Sequence, residues 1–114
     1  MSKVEFRIKV FSWGISKDEH HFLDLDTGKY AYAEKGVQKL AYHLPRDVVQ
    51  TLQNYFSALY HEFPDNEFAF DAPIWMLKID DKSCTRIADT RSDATYAKLR
   101  NIFETLRNYE GENK

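Results

Sequence analysis

The sequence predicts a single α+β domain in which two amphipathic helices lie over one face of an antiparallel sheet of about five strands. Three observations lead there. Short segments alternate apolar and polar residues; two longer segments repeat apolar residues every three or four positions; and 114 residues leave room for one hydrophobic core but not for two. Hydrophobic residues make up 43% of the chain and aromatics 15%, with 4 Gly and 3 Pro, which is far from the composition of a disordered chain. The domain is expected to span residues 1–111, with 112–114 fraying.

Val4, Phe6, Ile8 and Val10 alternate with Glu5, Arg7 and Lys9, the period of a strand with one face in the core and one in water. Leu23 and Leu25 resume that alternation, Asp26-Thr27-Gly28-Lys29 forms a turn, and Tyr30 to Glu34 returns as the second arm of a hairpin. Gly36 then interrupts the chain, and Val37 to Leu44 fits either an irregular loop or a further short strand. Pro45 suits the first turn of a helix, where its missing N–H costs nothing. Val48, Val49, Leu52, Phe56, Leu59, Tyr60 and Phe63 follow as one apolar stripe up to Pro64.

The stretch Pro64 to Pro73 has neither period and reads as a loop. Trp75, Leu77 and Ile79 alternate with Met76 and Lys78, Asp80 to Ser83 turns the chain, and Thr85 to Ala88 completes a second hairpin. Ser92 or Asp93 can cap a second helix with Tyr96, Leu99, Ile102, Phe103 and Leu106 on one side, and Gly111 is expected to end it. The order is β-ββ-α-ββ-α. Leu23-Asp24-Leu25-Asp26 lines up with Leu77-Lys78-Ile79-Asp80, which raises a possible duplicated ββα unit. Five strands at ~4.8 Å span roughly 24 Å, and two helices at ~10 Å cover most of one such face, leaving the other open.

The formal net charge of −2, from 16 basic and 18 acidic residues, creates no whole-molecule field toward nucleic acid or an anionic membrane. Acids cluster between Asp18 and Glu34 and between Asp65 and Asp81, and bases gather at Lys82, Arg86, Arg91, Lys98, Arg100 and Arg107. One cysteine, Cys84, excludes an intramolecular disulfide. The first residues alternate charge with apolar groups, unlike a signal peptide, and no run approaches the ~20 apolar residues of a membrane span. The expected setting is therefore the reducing cytoplasm, of a bacterial cell or of a host infected by a phage.

Catalytic patterns fail on spacing. Pro64-Asp65 followed by Asp80-Asp81-Lys82 nominally matches a metal-dependent nuclease signature, but that chemistry needs the second acid and the lysine on one strand face, and here they fall in a turn. His20 and His21 are adjacent and point to opposite faces of a strand, while His43 and His61 lack ligands at helical spacing; Asp47, four residues after His43, begins the helix that His43 precedes. No metal or other cofactor is expected. Cys84 has no nearby elbow or helix N-terminus to activate it, and the glycines are scattered singly. The basic side of the second helix, Lys98, Arg100 and Arg107, is interrupted by Glu104 and Glu110, so a nucleic-acid or small-ligand binding module using that side is the alternative and not the leading reading.

What stands out is a surplus of apolar groups where water is expected. If Val4, Phe6, Ile8 and Val10 face the helices, Phe11 falls on the open side, Phe22 flanks Leu23, and Ile74 and Met76 flank Trp75. Tyr30 and Tyr32 share one face of their strand, which parity leaves undecided because Ala31 and Ala33 also suit a core. The proline-bracketed loop adds Phe68 and Phe70 among Asp65, Glu67 and Asp71. Aromatic and Met side chains among charges are the composition of protein interfaces. The expected function is a small, non-enzymatic protein-binding module of the inhibitor or immunity type. Its candidate contacts are Asp65, Glu67, Phe68, Phe70, Asp71, Phe11, Phe22, Met76, Tyr30 and Tyr32, and pairing with a second copy is a further possibility.

Overall fold

The computed structural model describes residues 3–12, 15–67 and 72–112, with the backbone alone described at 11, 12, 15 and 110–112. Over these residues the chain forms β1 (Lys3–Ser12), β2 (Ile15–Asp24), β3 (Lys29–Glu34), β4 (Val37–His43), α1 (Arg46–His61), β5 (Ile74–Ile79), β6 (Lys82–Ile87) and α2 (Ala94–Glu112). The described strands make one six-stranded antiparallel sheet in the order β4-β3-β2-β1-β5-β6. The class and the two-helix layer are as the sequence predicts, with one strand more.

The extra strand is β4, built from the segment that reads equally as a loop. Lys35 and Gly36 take φ of 50° and 79°, the paired positive values of a two-residue hairpin turn, so Gly36 reverses the chain instead of ending the sheet. Because β4 lies between the first predicted hairpin and α1, the hairpin that directly precedes α1 is β3–β4, as β5–β6 precedes α2, and the likeness of Leu23–Asp26 to Leu77–Asp80 is that of two amphipathic strands at different places in the order. Gly28 tightens the preceding turn at φ 79°, and a Cβ there would sit 3.1 Å from Val49 Cγ2, so both backbone and packing call for glycine.

The register explains the layering. Val4, Phe6 and Ile8 pair with Leu23, His21 and Glu19 on one side and with Ile79, Leu77 and Trp75 on the other, which puts all nine side chains on one face. Leu52 and Phe56 of α1 and Tyr96, Leu99, Phe103 and Leu106 of α2 are buried in the same core cluster, so both helices cover that face. Phe6 sits at the centre, stacked on Phe103 at 5.0 Å and tilted against Trp75 at 6.0 Å. Trp75 is fully buried with its Nε1–H lacking a partner among the described residues.

The helix ends are set by identifiable groups. Pro45 precedes α1 without a side-chain cap, and Lys82 Nζ donates to the Tyr60 carbonyl at 2.8 Å in its last turn. Asp93 caps α2: its Oδ1 accepts from Tyr96 N–H at 3.2 Å, while Oδ2 accepts from Arg86 Nε at 2.9 Å, tying the helix start to β6. At the other end α2 runs past Gly111 to Glu112, since a glycine in a final turn forfeits only about 1 kcal/mol of helix propensity.

Candidate functional site

The sheet face opposite the helices is left uncovered by the described residues. Its rows follow from the register: Ala41, Ala31, Phe22, Glu5, Lys78 and Ser83 form one, and Gln38, Ala33, His20, Arg7, Met76 and Thr85 the next. Charges on this face are laid out in opposite pairs. Lys3 opposes Asp24, Glu5 opposes Lys78, and Arg7 holds Asp18 in a two-pronged bond at 2.8 and 2.7 Å. The Arg7 hydrogen bond keeps the Asp18 carboxyl below its ordinary range.

Among these charges stands a ridge of two rings. His20 and Phe22, two residues apart on β2, stack at 4.0 Å, and Phe22 is 37% exposed. On the β3–β4 side the ridge is flanked by Ala31, Ala33 and Ala41, whose methyl groups leave a low floor beside it. A depression of about 230 Å³ lined by Phe22, Ala31, Lys29, Lys3, Glu5 and Asp24 opens there. A second, also about 230 Å³, lies across β1 and β5 between Arg7, His20, Met76, Ser83 and Thr85. Burial, ahead of the neighbouring Arg7 charge, lowers the His20 pKa, so its ring presents a neutral edge to this face.

The sequence-predicted contacts divide. Phe22 and Met76 are on the uncovered face, with Ile74 and Ile87 beside Met76 in register. Phe11 lies in β1 opposite Ser16, with its side chain outside the described residues. Tyr30 and Tyr32 are a correction: they are 0% and 2% exposed and face the helices, because they pair with Leu23 and His21. Their rings fill the core and Ala31 and Ala33 take the open side. Phe68, Phe70 and Asp71 fall outside the described residues. Asp65 and Glu67 lie against the β6 edge: Arg86 donates to the Asp65 carbonyl at 2.8 Å, and Ile87 N–H donates to Glu67 Oε1 at 3.0 Å. The start of the acidic loop thus closes the sheet edge.

A polar network that the sequence does not announce sits under α2. His21, 2% exposed, shares a 2.7 Å hydrogen bond between Nδ1 and the Tyr30 hydroxyl, and rings of Phe6, Tyr32 and Phe103 surround it. Burial pushes its pKa down to about 3, helped by the Arg107 charge. Arg107 reaches from α2 to Glu19 Oε1 at 3.1 Å and toward the Tyr32 hydroxyl at 3.4 Å, and Tyr32 donates to Glu34 at 2.6 Å. Burial and the bond to Glu34 raise the Tyr32 pKa, and burial raises that of Tyr30. Tyr42 donates to the Leu106 carbonyl nearby.

The other chemical candidates are held in structural contacts. Asp80 and Asp81 form the β5–β6 turn, Asp81 accepts from Tyr60 at 2.5 Å, and the Lys82 ammonium lies 4.1 Å from the Tyr60 ring centre. Cys84 is buried on β6, and that burial pushes its thiol up to about 11. Among the described residues no three His, Cys, Asp or Glu groups gather where they could hold one metal ion, and no helix is long and apolar enough to cross a membrane. Comparisons with protein-family models, with curated proteins and with solved structures found no match.

Proposed function

We propose that the protein is a small, non-enzymatic binding module that docks another protein on the uncovered face of its sheet and acts by occluding that partner, as intracellular inhibitors and immunity proteins do. The observation that supports this reading is the His20–Phe22 ridge: a partly exposed ring standing beside three alanines, with paired charges around it. An aromatic anchor set within a polar rim is the anatomy of a protein interface, and the alanine floor leaves space for an incoming side chain. Met76, Ile74 and Ile87 extend the apolar area on the other half of the face.

The basic side of α2 supports nucleic-acid binding less well. Arg100 pairs with Glu104 at 2.9 Å, Arg107 pairs with Glu19 at 3.1 Å, and Lys98 lies 5.6 Å from the Tyr55 ring centre, so each cation is engaged within the chain. Phosphate binding draws on cations that are free to displace counterions.

Phe22→Thr tests the reading, because threonine keeps strand propensity while removing the ring. In affinity capture from native cytosol, the partner retained by the wild-type protein should bind the variant at least tenfold more weakly, since interface anchors contribute about 2 kcal/mol or more. Thermal unfolding should be nearly unchanged. Undiminished capture, or a variant that unfolds, would overturn the assignment of Phe22 as an anchor.

A further inference from the structure

The two edges of the sheet differ. At β6, Glu67 N–H donates to the Thr85 carbonyl at 2.9 Å, Thr85 N–H to Asn66 Oδ1 at 2.9 Å and Ile87 N–H to Glu67 Oε1 at 3.0 Å, so residues 65–67 occupy that edge. At β4, the backbone of Val37 to Ala41 makes no hydrogen bond beyond its pairing with β3 among the described residues, and Val37 is 58% exposed. An open row of N–H and C=O groups is a template for another strand.

Charge says what kind of strand fits. The β4 sequence VQKLAYH holds a lysine and no acid. Lys35 at the turn, Lys39 within the strand and Arg46 just beyond it are all exposed and have no acidic partner among the described residues. A second copy of β4 would bring the same cations against one another and would meet the register irregularity between Tyr32 and Ala33 that leaves Lys39 without a partner on β3. Lysine and a bulge on an edge repel like edges; the same lysine attracts a strand of opposite charge.

We infer that the outer edge of β4 accepts an extended acidic segment of a partner protein as a seventh strand, a surface separate from the Phe22 ridge. Main-chain hydrogen bonds supply the binding, and Lys35, Lys39 and Arg46 select acidic side chains. Three synthetic peptides matched in length to β4 test it: one alternating Glu with Val, one alternating Lys with Val, and an N-methylated copy of the first. The acidic peptide should slow hydrogen–deuterium exchange of those amides of residues 37–41 that point away from β3. It should bind the Lys35→Glu/Lys39→Glu variant at least tenfold more weakly and the Phe22→Thr variant as well as the wild type. No protection at residues 37–41, equal binding of the lysine peptide, or equal binding of the N-methylated peptide would overturn the inference.

Discussion

Between pH 7 and pH 4 the folded state should lose about 3 kcal/mol of stability to one residue, His21. Its pKa falls from an ordinary 6.5 to about 3 on folding. Below pH 6.5 the unfolded chain therefore takes up a proton that the folded chain refuses, and stability drops by about 1.4 kcal/mol per pH unit until the folded pKa is reached. The physical cause is the cage: a 2%-exposed ring bonded to the Tyr30 hydroxyl, surrounded by aromatic faces, with the Arg107 cation opposing a second positive charge. His20 acts in the same direction because its pKa is also lowered, whereas Asp18, lowered from 3.8, acts only in more acid solution. Denaturant unfolding across this range in the wild type, His20→Gln and His21→Gln separates them. The His21→Gln slope should be flatter by close to one proton, and the wild-type His21 ring should show neutral-imidazole resonances down to about pH 4. A His21 titration near 6.5 would contradict the cage.

Arg107→Ala should cost about 2 kcal/mol, more than a surface substitution and less than the loss of a fully buried ion pair, because the Arg107 side chain is 30% exposed. Glu19 is 8% exposed and, among the described residues, would keep only the ion pair with Lys17 at 3.4 Å, with the Lys17 side chain 47% exposed. Glu19 also lies directly opposite Glu34 in the β2–β3 register, a like-charge neighbour that Arg107 and the Tyr32 hydroxyl separate. Adding Glu19→Gln to Arg107→Ala should restore a large part of the loss, since the uncompensated carboxylate is its main source. Equal stability of the single and double variants would show that packing of α2, and not charge, sets the cost.

These two residues also show where the sequence is legible and where it is not. Strand β1 can be read directly because one face meets the core and the other water, so Val4, Phe6, Ile8 and Val10 alternate with charges. The first half of β2 cannot: Lys17, Asp18, Glu19 and His20 carry no apolar period, and their charges are met by partners that the local pattern does not show, Arg7 on the neighbouring strand for Asp18 and the distant Arg107 for Glu19. Strand β4 escapes because an edge strand is half in water and its alternation breaks at Lys39. The placement of Tyr30 and Tyr32 needed the register, since Ala31 and Ala33 suit a core equally well as isolated residues. Both helices, with stripes that each bury a full face, are the most readable elements.

Of the candidate site, parity alone put Phe22 and Met76 on the uncovered face. The alanine floor beside Phe22 was not visible, because Ala31, Ala33 and Ala41 come together only through the β2–β3–β4 pairing. The closure of the β6 edge by residues 65–67 was equally hidden, since a loop rich in acids reads as solvated until the Asn66 amide oxygen and the Glu67 carboxylate are seen on backbone N–H groups.

The central claim, that a protein partner docks on the uncovered sheet face, is tested most directly by hydroxyl-radical footprinting of the captured complex against the free protein. Phe22 and Met76 should be protected in the complex, while Tyr55 and Tyr60, half-buried on α1 on the helix-covered side, keep their free-state reactivity. Protection of Tyr55 and Tyr60 with Phe22 and Met76 unchanged would place the partner on the helices and contradict the account.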